Sequence, residues 1–265
     1  MTDVEVPQPE EIYLRTKQEG ERRLERPLLE EMSTALAAGF DIVAGIVALV
    51  LIESQLQRWT GKPAAHVFGS LGFGTGFVFL IVGRAELFTE NFLVPIAGLD
   101  HRSAASWRNL AKLWITSPLF NIVGGLIMLV LLSVHSVLPY GAGATAVETA
   151  AKVHANGVLA LFVSAIFAGA LLTAMTWFVE GQTSMLARVV VAWLAGALLA
   201  LGSFNHVIVI TLELIFGYRF GIDMHWYFIA GNFGLAAAGN IVGGVGLVTL
   251  NRLTQGRAGS GPRPT

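Results

Sequence analysis

Six long apolar blocks alternate with short polar stretches along the chain, at about residues 33–52, 67–99, 113–134, 156–179, 186–216 and 226–250. Four of them have the length of one bilayer-spanning helix, about 20 residues at 1.5 Å rise. The block 67–99 does not fit, because its 33 residues would run about 50 Å as one helix against an apolar bilayer core of about 30 Å. It is also too short for two crossings and a turn. The polar run Gly83-Arg84-Ala85-Glu86-Leu87-Phe88-Thr89-Glu90-Asn91 interrupts it, and Gly202-Ser203-Phe204-Asn205-His206-Val207 interrupts block 186–216 in the same way. Backbone that leaves the helix at membrane depth keeps its N–H and C=O groups paired only against protein or a water-filled cavity. The pattern therefore predicts two broken helices lining a pathway.

An internal repeat points the same way. Asn121-Ile-Val-Gly-Gly125 recurs as Asn240-Ile-Val-Gly-Gly244, 119 residues on, and Phe88 and Phe204, taken as equivalent points of the two interruptions, lie 116 apart. Each half then holds three spans with the middle one broken, and an odd number of spans inserts the second half upside down. The expected fold is an all-α membrane protein of six transmembrane helices, a 3+3 inverted repeat with broken second and fifth helices. Eight crossings would leave segments of only about 16 residues, short for a bilayer. Small residues at Ala35 and Gly39, Gly124 and Gly125, and Gly239 and Gly243 suit close helix approach in lipid.

Composition and charge sharpen the division into parts. Hydrophobic residues make up 54% of the chain and charged ones 13%, with mean hydropathy +0.64. Residues 1–31 hold 14 of the 35 charges, and only 18 fall between Met32 and Asn251. The expected layout is a charged cytoplasmic arm (1–31), helical from about Glu10 to Leu29, a six-helix channel domain (32–251) and a disordered cytoplasmic tail (252–265). The polar start lacks the apolar stretch of a signal peptide and is expected to be retained. In the six-span reading, twelve Lys and Arg lie on the side of the two termini against four opposite, which places both termini in the cytoplasm of a plasma (inner) membrane protein. So apolar a chain is not a soluble enzyme, a disordered protein or a nucleic-acid binder. With no cysteine, it has no disulfide, Cys-ligated metal or thiol nucleophile, and neither a metal nor a cofactor is expected.

Candidate chemistry gathers at the interruptions. His206 is an ionisable group in an apolar block, tolerable where it faces a polar cavity; it suits a proton donor or hydrogen-bond donor to a passing solute. A neutral histidine bonded to a carbonyl freed by the break fits the same position. Thr89, in the first interruption, is read as its repeat-related neighbour, able to orient the ring or to cap a half-helix. Phe73 and Phe77 share a helix face and, with Leu87 and Phe88, suit dry constrictions that exclude hydrated ions; ordinary packing is the plainer account of such a pair. Lys152, read as lying in an external loop near His154, can draw anions to a pore mouth. Arg84 is expected to pair with Glu86 or Glu90, and Asp41 has no assigned role.

These residues resemble the formate/nitrite transporter family from about Ala35 to Leu250. The similarity is carried by Glu86-Leu87-Phe88-Thr89, Phe204-Asn205-His206, Asn121-Ile-Val-Gly-Gly, Gly239-Asn240-Ile-Val-Gly-Gly and Lys152-Val153-His154. The resemblance implies an aquaporin-like fold, a homopentamer with one pore per protomer, and passage of formate, nitrite or similar small anions or their acids, with protons. It implies a pathway of His206, Thr89, Lys152 and Asn205, with electrostatic attraction of the anion, proton sharing near His206, and constrictions at Phe73, Phe77, Leu87, Phe88 and Leu199. Three features depart from the family pattern: Asn205 stands where a glutamate is usual, Gly169 where a pore-facing asparagine is usual, and Arg84 and Glu90 add charge. They point to a less characterised branch. An aquaporin-like pore for neutral solutes would favour paired Asn-Pro-Ala motifs, which neither interruption holds. An intramembrane enzyme would need a nucleophile with a base or a metal-ligand cluster near His206. A purely structural or sensory protein would leave the two matched interruptions unexplained.

Overall fold

The computed structural model describes residues 7–259, and every regular element among them is helical. Helix α1 (Pro9–Leu24) opens with proline, carries Glu10 and Glu11 in its first turn and Arg22 and Arg23 in its last, the arrangement that complements a helix dipole. It ends before Pro27, and α2 (Leu28–Thr60) begins there, so the helix expected from Glu10 to Leu29 is split in two. Gly61, at φ 76°, turns the chain into α3 (Lys62–Gly83). After a 3-10 turn (Phe88–Phe92) and the single-turn α4 (Val94–Ala97) come α5 (Ala104–Leu132), α6 (Ala142–His154), α7 (Val158–Glu180), α8 (Met185–Leu201) and α9 (Val207–Arg219). The chain closes with α10 (Trp226–Ile241), a π-helical stretch (Val242–Thr249) and α11 (Leu250–Gly259).

Five helices are long and apolar enough to cross a membrane: Leu28–Thr60, Lys62–Gly83, Ala104–Leu132, Val158–Glu180 and the continuous Trp226–Ala258; Met185–Leu201 is apolar but shorter. Side chains cannot separate the two places where these helices touch most closely. A Cβ on Gly39 would strike the backbone of Asn121 on α5, and one on Gly124 would strike Leu36 on α2. On the other side of the molecule Gly169 of α7 meets Asn240, and Gly243 meets Ile166. Each contact thus seats one of the repeated Asn-Ile-Val-Gly-Gly segments against a neighbouring helix, and so fixes where its asparagine points.

The tail departs from expectation. Residues 252–259 belong to α11, because Leu253 finds an apolar seat with Leu93, Ala97 and Trp177, joined by Ile12 and Tyr13 of α1. The Arg252 guanidinium lies 5.9 Å from the Trp177 ring and 5.5 Å from Phe178, close enough for a cation–π contact. Residues 260–265 of the expected tail lie outside the described residues. Lys152 is also displaced from its expected loop, since it sits in the last turn of α6.

Candidate functional site

Both interruptions begin where a helix ends in a residue of positive φ. Arg84 (φ 54°) follows α3, and Ser203 (φ 46°) follows α8. The chain then extends at Leu87 and at His206, and a new helical turn starts after each. One asparagine pins each interruption. Asn121 accepts from the Phe88 N–H at 2.9 Å and donates to the carbonyls of Ala35 (2.8 Å) and Glu86 (3.0 Å). Asn240 accepts from the Val207 N–H at 2.9 Å and donates to the carbonyls of Ala165 (2.8 Å) and Asn205 (3.1 Å). These bonds satisfy the backbone groups a broken helix leaves open. They also correct the register. Glu86 matches Asn205 and Phe88 matches Val207 at the same 119-residue offset that separates Asn121 from Asn240, so Leu87, not Thr89, is the counterpart of His206.

The asymmetry at that matched position creates the site. Leu87 has no side-chain oxygen or nitrogen, and its N–H donates to Glu90 Oε2 at 3.0 Å. His206 caps its own helix, with Nδ1 accepting from the Val209 N–H at 3.3 Å. Its Nε2 lies 2.9 Å from Thr89 Oγ1 in the other interruption, and both residues are fully buried. A ring nitrogen that accepts an N–H carries no proton, so this network assigns the proton to Nε2 and makes His206 a neutral donor to Thr89. The Thr89 hydroxyl hydrogen is left without a protein acceptor among the described residues. One buried O–H without an acceptor therefore sits at the meeting of the two interruptions.

The remaining sequence-derived residues divide. Phe73 and Phe77 are buried with ring centroids 5.9 Å apart, and Leu87 and Leu199 are buried. Leu199 lines a small cavity with Leu49, His66, Thr149, Phe204, Val209 and Glu213. The Phe88 ring packs edge-on against Phe92 (4.8 Å) and Trp114 (6.4 Å). Asn205 is not a free pathway group: its side chain donates to Leu161 O and exchanges two hydrogen bonds with Asn232 at 2.9 and 3.0 Å, which ties it to α7 and α10. Gly169 does not face a pore, because its missing Cβ direction points into the Asn240 backbone. Gly169→Asn is accordingly expected to destabilise the protein by roughly 2–4 kcal/mol through overpacking, read as a lower melting temperature in detergent. An asparagine accepted with no loss would show that position 169 points elsewhere.

Charge at the first interruption is arranged differently from expectation. Arg84 makes no ion pair among the described residues, and Glu86 is held instead by Arg26 (2.6 Å) and Arg23 (3.2 Å) from the arm. Arg23 also donates to Asn91 at 3.2 Å and pairs with Glu19 at 3.1 Å. Arg15, Arg22, Arg23, Arg84 and Arg188 face Glu19, Glu86, Glu90 and Glu180 around a funnel of about 640 Å³ at this end of the molecule. Burial would raise the Glu19 carboxyl, but hydrogen bonds and charge from Arg22 and Arg23 outweigh it and hold it at about 2, against an ordinary 4.5. Asp41, which had no role from sequence, lies near Gly83 at the end of α3. At the opposite end Lys152 is half-exposed, 3.9 Å from Glu148, which pairs with Lys62 at 2.9 Å.

Residues 10–253 match the profile of the family described as Formate/nitrite transporter. The inner membrane protein YfdC of Escherichia coli K12 is 29% identical over 241 residues, covering 90% of this chain and 76% of that protein. A probable formate transporter of Methanothermobacter thermautotrophicus is 33% identical over 54% of this chain and 50% of its own length. The formate channel FocA of E. coli K12 is 26% identical over 62% and 60% respectively, so the chain spans only part of these last two relatives. Two solved structures share the fold: a pentameric formate channel with formate bound (TM-score 0.70, 20% identity, 82% of this chain and 92% of that one) and an ion channel of the same family (0.74, 18%, 95% and 99%). The profile spans the arm from Glu10 on, both pinned interruptions and nearly all of the last long helix, and on that match this membrane protein belongs to the formate/nitrite transporter family.

Proposed function

We propose that the protein is a transmembrane channel for small monovalent anions or their weak acids, formate, nitrite or a similar monocarboxylate. The observation that carries this is the buried His206–Thr89 pair held where two asparagine-pinned interruptions meet. Polar backbone and an unpaired hydroxyl hydrogen at that depth are otherwise costly, and together they offer a donor to one small acceptor. Six spans in a 3+3 inverted repeat, with α3–α4 and α8–α9 as the broken elements, account for the two matched interruptions. Likeness to a pentameric formate channel supports five protomers, each with its own pore, and the Lys and Arg distribution supports cytoplasmic termini. In this reading Lys152 attracts the anion at the mouth opposite the arm. Phe73, Phe77, Leu87, Phe88 and Leu199 keep the path dry on either side of the pair, and Thr89, oriented by His206, donates to the solute. A solute that crosses as the neutral acid avoids most of the penalty of a bare charge in so apolar a path.

The test is uptake of formate and of nitrite by liposomes holding the purified protein, at pH 5.5 and 7.5. His206→Ala removes the cap and the group that orients Thr89, and a lost hydrogen bond to a desolvated acceptor is expected to lower flux about 10- to 100-fold. Absence of either anion's flux above empty liposomes, with folded protein, would remove the weak-acid reading. Flux of small neutral solutes alone would put an aquaporin-like pore in its place.

A further inference from the structure

His206 cannot readily supply the proton that such a solute needs, because its Nδ1 is committed to the helix cap and its Nε2–H to Thr89. A second ionisable group does have a proton to give. We propose that the mouth opposite the arm carries a proton-exchange site, built from Glu53, His66 and Glu213, which protonates the anion before it passes Leu199 and recovers the proton on the return path. The proposal rests on the weak-acid reading above.

His66 lies in the second turn of α3, and each ring nitrogen faces an acceptor. Nδ1 is 2.7 Å from the Glu53 carboxylate on α2, and Nε2 is 3.1 Å from the Leu201 carbonyl at the end of α8. A neutral imidazole has one N–H and cannot satisfy two acceptors, so Glu53 and His66 together hold an extra proton, as imidazolium and carboxylate or as imidazole and carboxylic acid. That proton sits in a short hydrogen bond with two basic ends. Glu213 of α9 lines the same cavity as His66, together with Thr149, Ser203, Phe204 and Leu199. The cavity measures about 10 Å³, room for about one water. Glu213 is 6% exposed and makes no hydrogen bond or ion pair with another side chain among the described residues. A carboxyl in that state within an apolar helix is the kind of group that lines proton relays.

The charges facing this site come from four elements. They are Glu53 on α2, Glu213 on α9, Lys152 and Glu148 on α6, and Lys62 on α3 itself, whereas α8 offers only the Leu201 carbonyl. Lys152 lies within electrostatic reach of both His66 and Glu213, so an anion it attracts arrives beside the acid. In the transfer step the Glu213 O–H bond breaks and an O–H bond forms on the solute carboxylate. The Glu53–His66 pair reloads Glu213 through a water that the cavity has room to admit and takes its own proton from water outside. One proton thus crosses with each anion, and no net charge moves.

Labelled formate uptake and an internal pH dye, read together in liposomes holding the full chain, test the site in wild type, Glu213→Gln and His66→Gln. Both variants are expected to lose formate flux about tenfold at pH 7.5 but only about twofold at pH 5.5, where the solution itself supplies more acid. An equal loss at both pH values, or no loss, would overturn the proposal. If wild type moves no formate, the weak-acid reading fails by itself, and nitrogen NMR of histidine-labelled protein still decides the site. At pH 7.5, signals lost in His66→Gln that show both nitrogens carrying or sharing protons, and that shift in Glu213→Gln, support it. A neutral His66 protonated at Nδ1 alone, with Nε2 bare, would refute it, because the pair would then hold no extra proton.

Discussion

Replacing Asn240 by leucine is expected to lower stability by roughly 3–6 kcal/mol, a larger loss than at most buried positions. The side chain is fully buried and makes three hydrogen bonds, all to backbone. Leucine has a similar volume, so packing changes little. What changes is that one N–H and two carbonyls lose their partner where neither helix nor water replaces it, each at about 1–3 kcal/mol. Asn121→Leu should behave alike, since it frees the Phe88 N–H and the carbonyls of Ala35 and Glu86. Function separates the two. Asn240 fixes the turn that presents His206, whereas Asn121 fixes the turn that presents Thr89 and Glu86. Heating purified protein in detergent and following the loss of the native elution peak would measure both. An unchanged midpoint for either variant would mean that the interruption is satisfied by other groups.

These asparagines show how far the sequence alone reaches. Their repeat at an offset of 119 was visible, as were the polar interruptions, because both break a long apolar run. The bonding partners were not visible, and aligning the interruptions on their phenylalanines shifted the register by three residues. The phenylalanines are not equivalent: Phe88 begins a helical turn and packs edge-on against Trp114, whereas Phe204 precedes the cap and lies 4.4 Å from Phe167. Side-chain direction was the other gap. Asn205 and Gly169 occupy positions whose neighbours in space, Asn232 and the Asn240 backbone, lie 27 and 71 residues away. Glu53, His66 and Glu213 were overlooked although Glu213 is a carboxylate inside an apolar block, a signal as strong as the one that drew notice to His206. Arg23 and Arg26 looked like ordinary members of a solvated charged segment, and only the fold shows them buried against Glu86.

Glu86→Leu is expected to undock the arm. Its carboxylate serves two buried guanidiniums at 2.6 and 3.2 Å, and removing one partner of a buried pair costs about 3–5 kcal/mol because the other charge stays buried and unpaired. Arg23→Met should be milder, since Arg26 keeps Glu86 partnered. The double variant Arg23→Met, Glu86→Leu should fall short of the summed single effects, because the first change removes part of what the second exposes. Undocking opens α1, so trypsin should cut after Arg15, Lys17 or Arg22 at least about 100-fold faster in Glu86→Leu than in wild type. Acid should act through a different residue. The Glu19 carboxyl is held at about 2 when docked, against 4.5 when free, so its contribution is fully present above about pH 4.5 and disappears as pH falls toward 2. Glu19 is a quarter exposed, so solvent and salt weaken that contribution. Protection of α1 from cleavage by an acid-tolerant protease should therefore hold at pH 5 and decline below pH 4, and the decline should be shallower in Glu19→Gln. Equal protection of Glu86→Leu and wild type at neutral pH would show that the arm is held by its apolar contacts to Leu93, Ala97 and Leu253, with the buried ion pairs contributing little.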